Sequence, residues 1–467
     1  MKKNNHFLMD MSDIPLLDYS QIFVNNMTWL DRGIENDIAT FDLVVRDLPP
    51  NWNFYIFDGL ERFVDMLLQF RFDDAALELL KKMNYVDSPK SVAYYKNFKF
   101  TGEVSAMKDG TIFFPGQPIV RITAPAVEAN MLTAFIMNAF SYPPRILTKS
   151  LRVKLASGPT IFYIGSLVRL PGFEQGIYTL RAAYLLDSQI GTPFVYRKFP
   201  ELTPPSKITS NINHAFIKSF STEQEAFRYF LDILVKKANF FYVMVDTYEL
   251  KKGLASFIEE IKKTPNLDRK KVMITIDSGD LKQQAHYVRE QLDKNDLREI
   301  RIQVMSSLDE YSIDEMVKSK TPIDCYISST ALINITDCPK LELVYKMAEL
   351  KHKDGAVEQK AKLTKGKESF PGRKQVFRVY KNGKILHDII GLEDEKLGRP
   401  LLEKIIENGK LLNPLPGIEE TKAYLKSEIQ TLPDLYKSIS GEPLPSNVKI
   451  SEKLNNLLEE VKKKHLN

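Results

Sequence analysis

Four segments of this sequence carry acidic or small polar residues directly after short apolar runs. Carboxylate and hydroxyl oxygens at such positions are suited to Mg²⁺ and to the hydroxyl groups of a sugar. Small residues also let backbone N–H groups approach a phosphate closely. The four segments therefore predict one polar rim that binds a phosphorylated ligand, although solvated loop caps are the plainer interpretation. The segments are Asp246-Thr247, Asp277-Ser278-Gly279-Asp280, Ser306-Ser307-Leu308-Asp309-Glu310 and Ser328-Ser329-Thr330.

A histidine, His214, lies upstream of these segments in the stretch Asn211-Ile212-Asn213-His214. A neutral imidazole titrates near physiological pH and is a nucleophile, so it could accept a group or a proton. A hydrogen-bonded structural histidine is the alternative, and the residues alone leave both readings open. The first aspartate of the acidic turn, Asp277, has a comparable alternative as the N-cap of the helix that follows it.

Repeated strand and helix patterns must position these residues. Five apolar runs rich in β-branched and aromatic residues are each followed by a polar turn and a helical pattern, which is typical of βα units. Runs buried on both faces favour parallel strands covered by helices, in a barrel or in a doubly wound sheet. In either case the functional groups collect at the carboxyl ends of the strands. The runs are 161–165, 240–245, 272–276, 300–305 and 323–327.

The composition excludes several other classes of protein. The chain has 467 residues, a formal charge of +5 and only two cysteines, Cys325 and Cys338. These cysteines form neither a disulfide framework nor a zinc pattern, and a reducing compartment such as the cytoplasm suits them. The mild basic excess does not call for nucleic acid. No apolar stretch approaches the length of a membrane helix, so we expect no membrane partner.

Several motifs together resemble the nicotinate phosphoribosyltransferase family, over about residues 14–390. No single motif is decisive, but their order and spacing match the family. They are Phe100-Thr101-Gly102-Glu103-Val104, Asp109-Gly110-Thr111, Phe114-Pro115-Gly116-Gln117-Pro118, Leu147-Thr148-Lys149-Ser150, Arg181-Ala182-Ala183-Tyr184, His214, Val245-Asp246-Thr247-Tyr248, Asp277-Ser278-Gly279-Asp280-Leu281, Leu308-Asp309-Glu310-Tyr311, Tyr345-Lys346 and Pro371-Gly372-Arg373-Lys374-Gln375-Val376-Phe377-Arg378.

The resemblance implies a type II phosphoribosyltransferase fold of the α/β class. An irregular parallel α/β barrel, residues 126–350, would be joined to a smaller α+β domain. That domain would be built from the N-terminal segment 1–125 and completed by the C-terminal segment 351–467. The implied reaction joins nicotinate to phosphoribosyl pyrophosphate, giving nicotinate mononucleotide and pyrophosphate in NAD salvage. It would use ATP as co-substrate and Mg²⁺ as cofactor, in a cytoplasmic homodimer.

The resemblance also assigns roles to residues. His214 and Asp277 would be catalytic, and His214 would be phosphorylated by ATP to a phosphohistidine. Asp277 and Asp280 would bind the metal. The remaining implied contacts would bind substrates, and they are Tyr19, Gln21, Lys149, Arg169, Arg181, Asp246, Thr247, Ser278, Gly279, Asp280, Ser306, Ser328, Ser329 and Thr330.

Several positions depart from the family pattern, and these departures keep two alternatives open. Thr275 stands where the family has an arginine before the acidic turn, and Ile327-Ser328-Ser329-Thr330 replace a Gly-x-Gly-Thr phosphate loop. Losing glycines narrows a phosphate cradle, and losing an arginine removes a bidentate anion contact. The chain could therefore use another nitrogen heterocycle, or it could be a catalytically degenerate member that acts as a binding or structural protein.

Overall fold

The computed structural model describes residues 10–18, 20–165, 167, 169–188, 192–200, 208–234, 238–441, 444 and 447–466. The strands, in chain order, are β1 (Ile38–Val45), β2 (Tyr55–Ile56), β3 (Glu103–Ala106), β4 (Ile112–Phe113), β5 (Pro118–Pro125), β6 (Ile161–Ile164), β7 (Ile208–Ile212), β8 (Ala238–Met244), β9 (Val272–Ile276), β10 (Arg301–Val304), β11 (Cys325–Ser328), β12 (Leu343–Lys351), β13 (Val357–Gln359), β14 (Lys374–Lys381), β15 (Lys384–Leu392), β16 (Arg399–Pro400), β17 (Glu403–Glu407), β18 (Lys410–Leu411) and β19 (Val448–Ile450).

Helices alternate with these strands through the middle of the chain. They are α1 (Ser20–Asp31), α2 (Leu60–Gln69), α3 (Asp74–Lys82), α4 (Pro89–Lys96), α5 (Ala126–Met131), α6 (Thr133–Ala139), α7 (Pro143–Ser157), α8 (Gln175–Leu185), α9 (Phe194–Lys198), α10 (His214–Lys218), α11 (Glu223–Leu234), α12 (Leu250–Lys262), α13 (Leu281–Lys294), α14 (Glu310–Lys318), α15 (Thr330–Asn334), α16 (Ile418–Thr431) and α17 (Glu452–Leu466). Short 3₁₀ turns occur at Ile14–Leu16, Arg269–Lys271 and Asp434–Lys437.

Two compact units divide the chain. Unit 1 comprises Met1–Arg145, Lys340–Lys437 and Glu442–Asn467, and unit 2 comprises Ile146–Pro339 with Ser438–Gly441. The sequence-based boundaries, 125/126 and 350/351, therefore differ from those of the units. The reason is packing, because α5 contacts β1 and α6 contacts β12, while β12 pairs with β1 along its length. These elements belong with the sheet that they cover or extend.

Unit 1 contains a seven-stranded sheet in the order β13-β12-β1-β5-β3-β17-β18. All of its ladders are antiparallel. A second sheet, β16-β14-β15-β19, is built entirely from the C-terminal part of the chain. Asn382 has a φ of 51° and Gly383 a φ of 74° in the hairpin that joins β14 to β15, which is the turn that an Asn-Gly pair favours.

Unit 2 contains a six-stranded parallel sheet in the order β6-β11-β10-β9-β8-β7. Five of its strands coincide with the five apolar runs of the sequence. The sixth strand, β7, carries the sequence ITSNI, in which three polar residues separate the two isoleucines. That sequence lacks the continuous apolar run expected of a buried parallel strand, so the periodicity did not identify it.

The order of these strands and their packing indicate a barrel. The first strand of the set, β6, pairs with the last one, β11, so the order around the sheet is cyclic. Tyr242 on β8 and Cys325 on β11 belong to one buried cluster with Met273, and Tyr163 of β6 packs against it. In a flat sheet, strands three places apart are separated by about 14 Å. The sheet must therefore curl around this cluster.

The α/β class predicted from sequence is confirmed, with a parallel sheet in unit 2 and an α+β unit drawn from both ends of the chain. The α+β unit was expected to be the smaller one, but it comprises more of the chain than unit 2 does. Within the described residues no ladder joins β6 to β7, which makes the barrel irregular. Side chains at alternate positions face the interior, so Asp246 and Asp277 lie one layer above Met244 and Thr275 at the carboxyl ends of their strands.

Candidate active site

The imidazole of His214 lies between two side chains contributed by neighbouring strand ends. Its Nδ1 is 3.1 Å from the Thr247 hydroxyl, which follows β8. Its Nε2 is 3.7 Å from Oδ2 of Asp277, which follows β9. Asn213 caps the short helix α10 by accepting the Phe216 N–H, and this places His214 at the first helical position. The arrangement favours an imidazole with its proton toward Asp277 and a lone pair on Nδ1.

Asp246 fixes the acidic turn to the end of β8. Its Oδ2 accepts the backbone N–H of Asp277 at 3.1 Å and the hydroxyl of Ser278 at 3.2 Å. Its Oδ1 is buried and has no hydrogen-bond partner. Gly279 has a φ of 79°, and a Cβ there would lie 2.3 Å from Nε2 of Gln284, so the turn needs glycine at this position.

Asp280 ends the acidic turn and begins α13. Its Oδ1 accepts the backbone N–H of Gln283 at 3.0 Å, which is an N-cap contact. The N-cap role considered for Asp277 therefore belongs to Asp280. Its side chain is exposed, so its second oxygen remains accessible.

The electrostatics single out Asp277. Burial and the charge of Asp246 raise the pKa of Asp277, while His214 and Arg169 oppose that rise. Its side chain is 31% exposed, so ligand can reach it. A carboxylate in this position holds a charge that its neighbours only partly balance, which is a common property of functional groups.

Arg169 follows β6 and lies at the same end of unit 2. Its Nη1 donates to the Thr330 hydroxyl at 3.2 Å, and its backbone carbonyl accepts from Asn334 at 3.1 Å. Ser328 is buried and donates to the carbonyl of Leu308, so it is a structural residue of this edge. The predicted substrate residues Arg169 and Thr330 are thus brought together, close enough to Asp277 for Arg169 to affect its pKa.

Two further serines of the predicted rim, Ser329 and Ser306, lie in a crowded position and in a strained backbone conformation respectively. A Cβ on Gly165 would lie 1.8 Å from the hydroxyl of Ser329, so the end of β6 approaches Ser329 closely. Ser306 has a φ of 131°, a left-handed backbone value that normally requires glycine. Backbone strain of this kind is frequent at functional sites.

Lys149 and Arg181 are not free cations at this rim. The Lys149 side chain is 1% exposed, is paired with Glu310 and donates to Asp337 at 2.6 Å. Glu310 also accepts from Arg152 at 2.9 Å, so the structure gives Lys149 a buried ion-pair network in place of the predicted substrate contact. Arg181, on α8, is 6% exposed and therefore also largely buried.

Two predicted contacts belong to the N-terminal segment. Gln21 lies on the exposed side of α1 in unit 1. Tyr19 lies outside the described residues.

Sequence reasoning missed Glu223 and, in unit 1, the two cations Arg46 and Lys362 that lie near Lys346. Glu223 opens α11 and has a buried Oε1 without a hydrogen-bond partner. Burial and the charges of Arg46 and Lys362 lower the pKa of Lys346, and within the described residues none of the three has an ion pair. Lys346 carried a family signal, whereas Arg46 and Lys362 had only a surface-like charge pattern.

Two kinds of feature, a metal-ligand group and a membrane-spanning helix, are absent from the described residues. Among the residues that the structure describes, no group of three or more His, Cys, Asp or Glu side chains is arranged to hold a metal ion. Over the same described ranges, no helix is both long enough and apolar enough to cross a membrane.

Two family models match segments near the two ends of the sequence, and relatives match most of the chain. The N-terminal domain of nicotinate phosphoribosyltransferase matches residues 16–141, and the C-terminal domain of the same family matches residues 398–458. Nicotinate phosphoribosyltransferase pncB2 of Mycobacterium tuberculosis is 30% identical over 387 residues, covering 82% of this chain and 80% of the relative. Nicotinate phosphoribosyltransferase of Bacillus subtilis is 28% identical over 393 residues, covering 81% and 76%.

Solved structures support the fold. Human nicotinic acid phosphoribosyltransferase superimposes with a TM-score of 0.76 at 19% identity, covering 97% of this chain and 100% of that chain. Nicotinate-nucleotide pyrophosphorylase from Pyrococcus furiosus superimposes with a TM-score of 0.69 at 20% identity, covering 92% and 99%.

Proposed function

Since this chain belongs to the nicotinate phosphoribosyltransferase family, we propose that it is a cytoplasmic enzyme that joins nicotinate to phosphoribosyl pyrophosphate, giving nicotinate mononucleotide and pyrophosphate in NAD salvage. The observation that carries the proposal is the cluster of His214, Thr247, Asp246 and Asp277 at adjacent strand ends of the barrel.

The reaction breaks the bond between ribose C1 and the pyrophosphate oxygen and forms a bond from the ring nitrogen to C1. Positive charge grows on the sugar, and the pyrophosphate leaves with the electron pair. Preorganised charges aimed at these changes lower the barrier. Asp277 faces the developing positive charge, Ser278 and Thr247 offer hydroxyl groups to the ribose, and Arg169, held by Thr330, is available for a phosphate.

The acidic turn fits a magnesium requirement. Mg²⁺ usually keeps several waters and binds through one or two carboxylates plus substrate phosphates. Asp277 has a partly unbalanced charge, and Asp280 has an exposed oxygen beyond its cap contact. When bound there, Mg²⁺ would neutralise charge on the pyrophosphate.

His214 is the proposed acceptor of phosphate from ATP. With its Nε2–H toward Asp277, Nδ1 holds the lone pair that would attack the γ-phosphorus. A nitrogen–phosphorus bond would form as the bond to ADP breaks. The Thr247 hydroxyl, 3.1 Å from Nδ1, would have to turn away before the attack.

The cation cluster of unit 1, Arg46, Lys346 and Lys362, supports binding of a polyphosphate. Three like charges without ion pairs among the described residues are unfavourable together, and an anion would relieve their repulsion.

We propose that the working form is a homodimer, as the family resemblance implies. Sedimentation equilibrium tests the dimer, and a monomer that has full activity would contradict it.

The direct test supplies the purified protein with Mg²⁺, ATP, nicotinate and phosphoribosyl pyrophosphate and measures nicotinate mononucleotide by chromatography. We expect product formation that His214→Ala reduces. No product at high enzyme concentration, with no thermal shift on adding phosphoribosyl pyrophosphate, would instead favour a non-catalytic member.

One observation favours a different base as the second candidate. Below the acidic turn, Thr275 is 1% exposed and accepts from Nε2 of Gln303, which is itself fully buried with Oε1 unpartnered. This neutral pair does not supply the cation that a carboxylate-bearing ring prefers. A screen of nitrogen heterocycles for pyrophosphate release separates the two candidates, since only the second predicts a neutral base with higher kcat/KM than nicotinate.

A further inference from the structure

Two buried carboxylate oxygens beside the acidic turn have no hydrogen-bond partner, Oδ1 of Asp246 and Oε1 of Glu223. Burial and then the charges of Asp246 and Glu249 raise the pKa of Glu223. Ionised carboxylates only accept hydrogen bonds, so two of them cannot satisfy each other. A single proton between the two side chains would satisfy both oxygens.

A glycine on α12 makes room for this contact. A Cβ on Gly253 would lie 2.1 Å from the carbonyl oxygen of Val245 and 3.3 Å from Oε1 of Glu223. The missing side chain therefore lets α12 approach the backbone directly before Asp246. It also leaves space for the carboxyl group of Glu223 next to the end of β8.

Contacts between α11 and α12 hold Glu223 in place. Gln224 donates to Oε1 of Glu260 at 2.8 Å, and the rings of Phe227 and Phe257 meet edge to face with centroids 5.5 Å apart. Glu223 is the first residue of α11, so these contacts fix its backbone. The Glu223 carboxyl group thus lies against Gly253, beside the backbone that precedes Asp246.

We propose that Glu223 is a positioning residue whose protonated carboxyl group donates to Oδ1 of Asp246 and so fixes the acidic turn. The opposite oxygen of Asp246 accepts from the Asp277 N–H and the Ser278 hydroxyl, so restraint on Asp246 is passed to both residues. Asp246 from the strand end and Glu249 from the start of α12 face Glu223, and both are acidic, which favours its protonated form. The catalytic consequence rests on the proposed function, whereas the contact itself does not.

Replacement of Glu223 by glutamine and by alanine tests the contact. A glutamine N–H₂ group can still donate to Asp246, so Glu223→Gln should keep kcat/KM within about threefold of wild type. Glu223→Ala should lower kcat/KM by about tenfold or more, mainly through kcat. Glu225→Gln, an exposed acid two residues along the same helix, should have no effect. Equal losses in the Gln and Ala variants, or no loss in Ala, would overturn the proposal.

A second readout does not need enzymatic activity. In ¹³C NMR of carboxyl-labelled protein, a glutamate signal that titrates above its ordinary range should be present in wild type and missing in Glu223→Gln. Burial also raises the pKa of Glu128, so only the signal that this variant removes counts. Its absence in wild type would overturn the proposal even in an active enzyme. If instead the wild type makes no nucleotide but keeps the signal, only the proposed function fails. Strong loss of Mg²⁺ affinity in Glu223→Gln, by calorimetry, would indicate a cation in place of the proton and would also overturn it.

Discussion

Replacement of Arg378 by methionine should strongly destabilise unit 1. The Arg378 guanidinium is fully buried, donates to both oxygens of Asp388 at 2.9 and 2.8 Å, and donates to Glu428 at 2.6 Å. It also donates to the carbonyl of Ile112 at 2.6 Å. The side chain thus joins the N-terminal part of the chain to β14, β15 and α16. Methionine has a similar length but removes the charge and every one of these donors.

The expected loss of stability depends on the hydrogen bonds that Asp388 and Glu428 retain in the variant. Removing one partner of a buried ion pair costs about 3–5 kcal/mol, because the remaining charge is left uncompensated. Asp388 retains a hydrogen bond from Gln117 at 2.7 Å, and Glu428 retains Arg399 at 2.7 Å. These contacts place the loss toward the lower value, about 3 kcal/mol. With a urea dependence of about 3 kcal/mol per molar, the midpoint should fall by about 1 M.

Tryptophan fluorescence in urea can measure this change for unit 1 alone. The two tryptophans of the chain, Trp29 and Trp52, both lie in unit 1. Arg399→Met is the matched control, because Arg399 pairs with the same Glu428 but its side chain is 42% exposed. Its loss should stay below about 1 kcal/mol. Equal midpoints for the two variants would refute the burial argument.

Four other residues give shorter tests. The Asp37 carboxylate raises the pKa of His352. The contribution of His352 to stability should therefore be complete below about pH 6.5 and should vanish as the pH rises through the raised pKa of the folded protein. Melting scans of His352→Gln and wild type at several pH values would detect this. Asp277→Asn should lower kcat/KM by about 100-fold, and an unchanged rate would exclude a catalytic carboxylate there. Ser306→Gly should stabilise unit 2 by about 1 kcal/mol in calorimetry by relieving left-handed strain. Asp280→Ser should keep the helix cap, so a higher Mg²⁺ requirement with unchanged melting would mark Asp280 as a metal ligand.

Two of these tests have controls in the same chain. Burial and the nearby Lys449 lower the pKa of His387, so His387→Gln should change the pH dependence of stability in the opposite direction. Ser307→Gly, next to the strained residue, should not stabilise the protein, because flexibility gained in the unfolded chain opposes it. Matching effects at neighbouring positions would contradict the strain argument.

The sequence predicts most of the barrel because its strands are apolar on both faces. The runs that became β8, β9 and β10 are recognisable without any partner, since burial on both sides demands continuous apolar residues. The strand β7 has only two apolar residues, and its position depends on the ladder with β8. Tertiary pairing of this kind leaves no local pattern, which is why the periodicity did not identify it.

The candidate site was predictable where geometry follows from topology. Asp246 and Asp277 had to meet, because adjacent parallel strands end at the same edge. Lys149 was different, since a helical lysine has the same sequence pattern whether it faces a phosphate or a buried acid. Its partner Glu310 lies far along the chain at the start of α14, and only the packing of α7 against that helix end brings the two charges together.

The acidic turn shows why identical residue types acquire different roles. Asp280 satisfies a helix N-terminus, Asp246 satisfies the backbone of the turn, and Asp277 is left facing an imidazole. Each hydrogen bond that an aspartate makes to the protein leaves it fewer lone pairs for a ligand, so the least satisfied carboxylate is the best candidate for chemistry. Sequence spacing cannot rank the three, because the ranking depends on which backbone N–H groups each carboxylate reaches, and Glu223 enters only through the approach of α11 and α12 to the strand end.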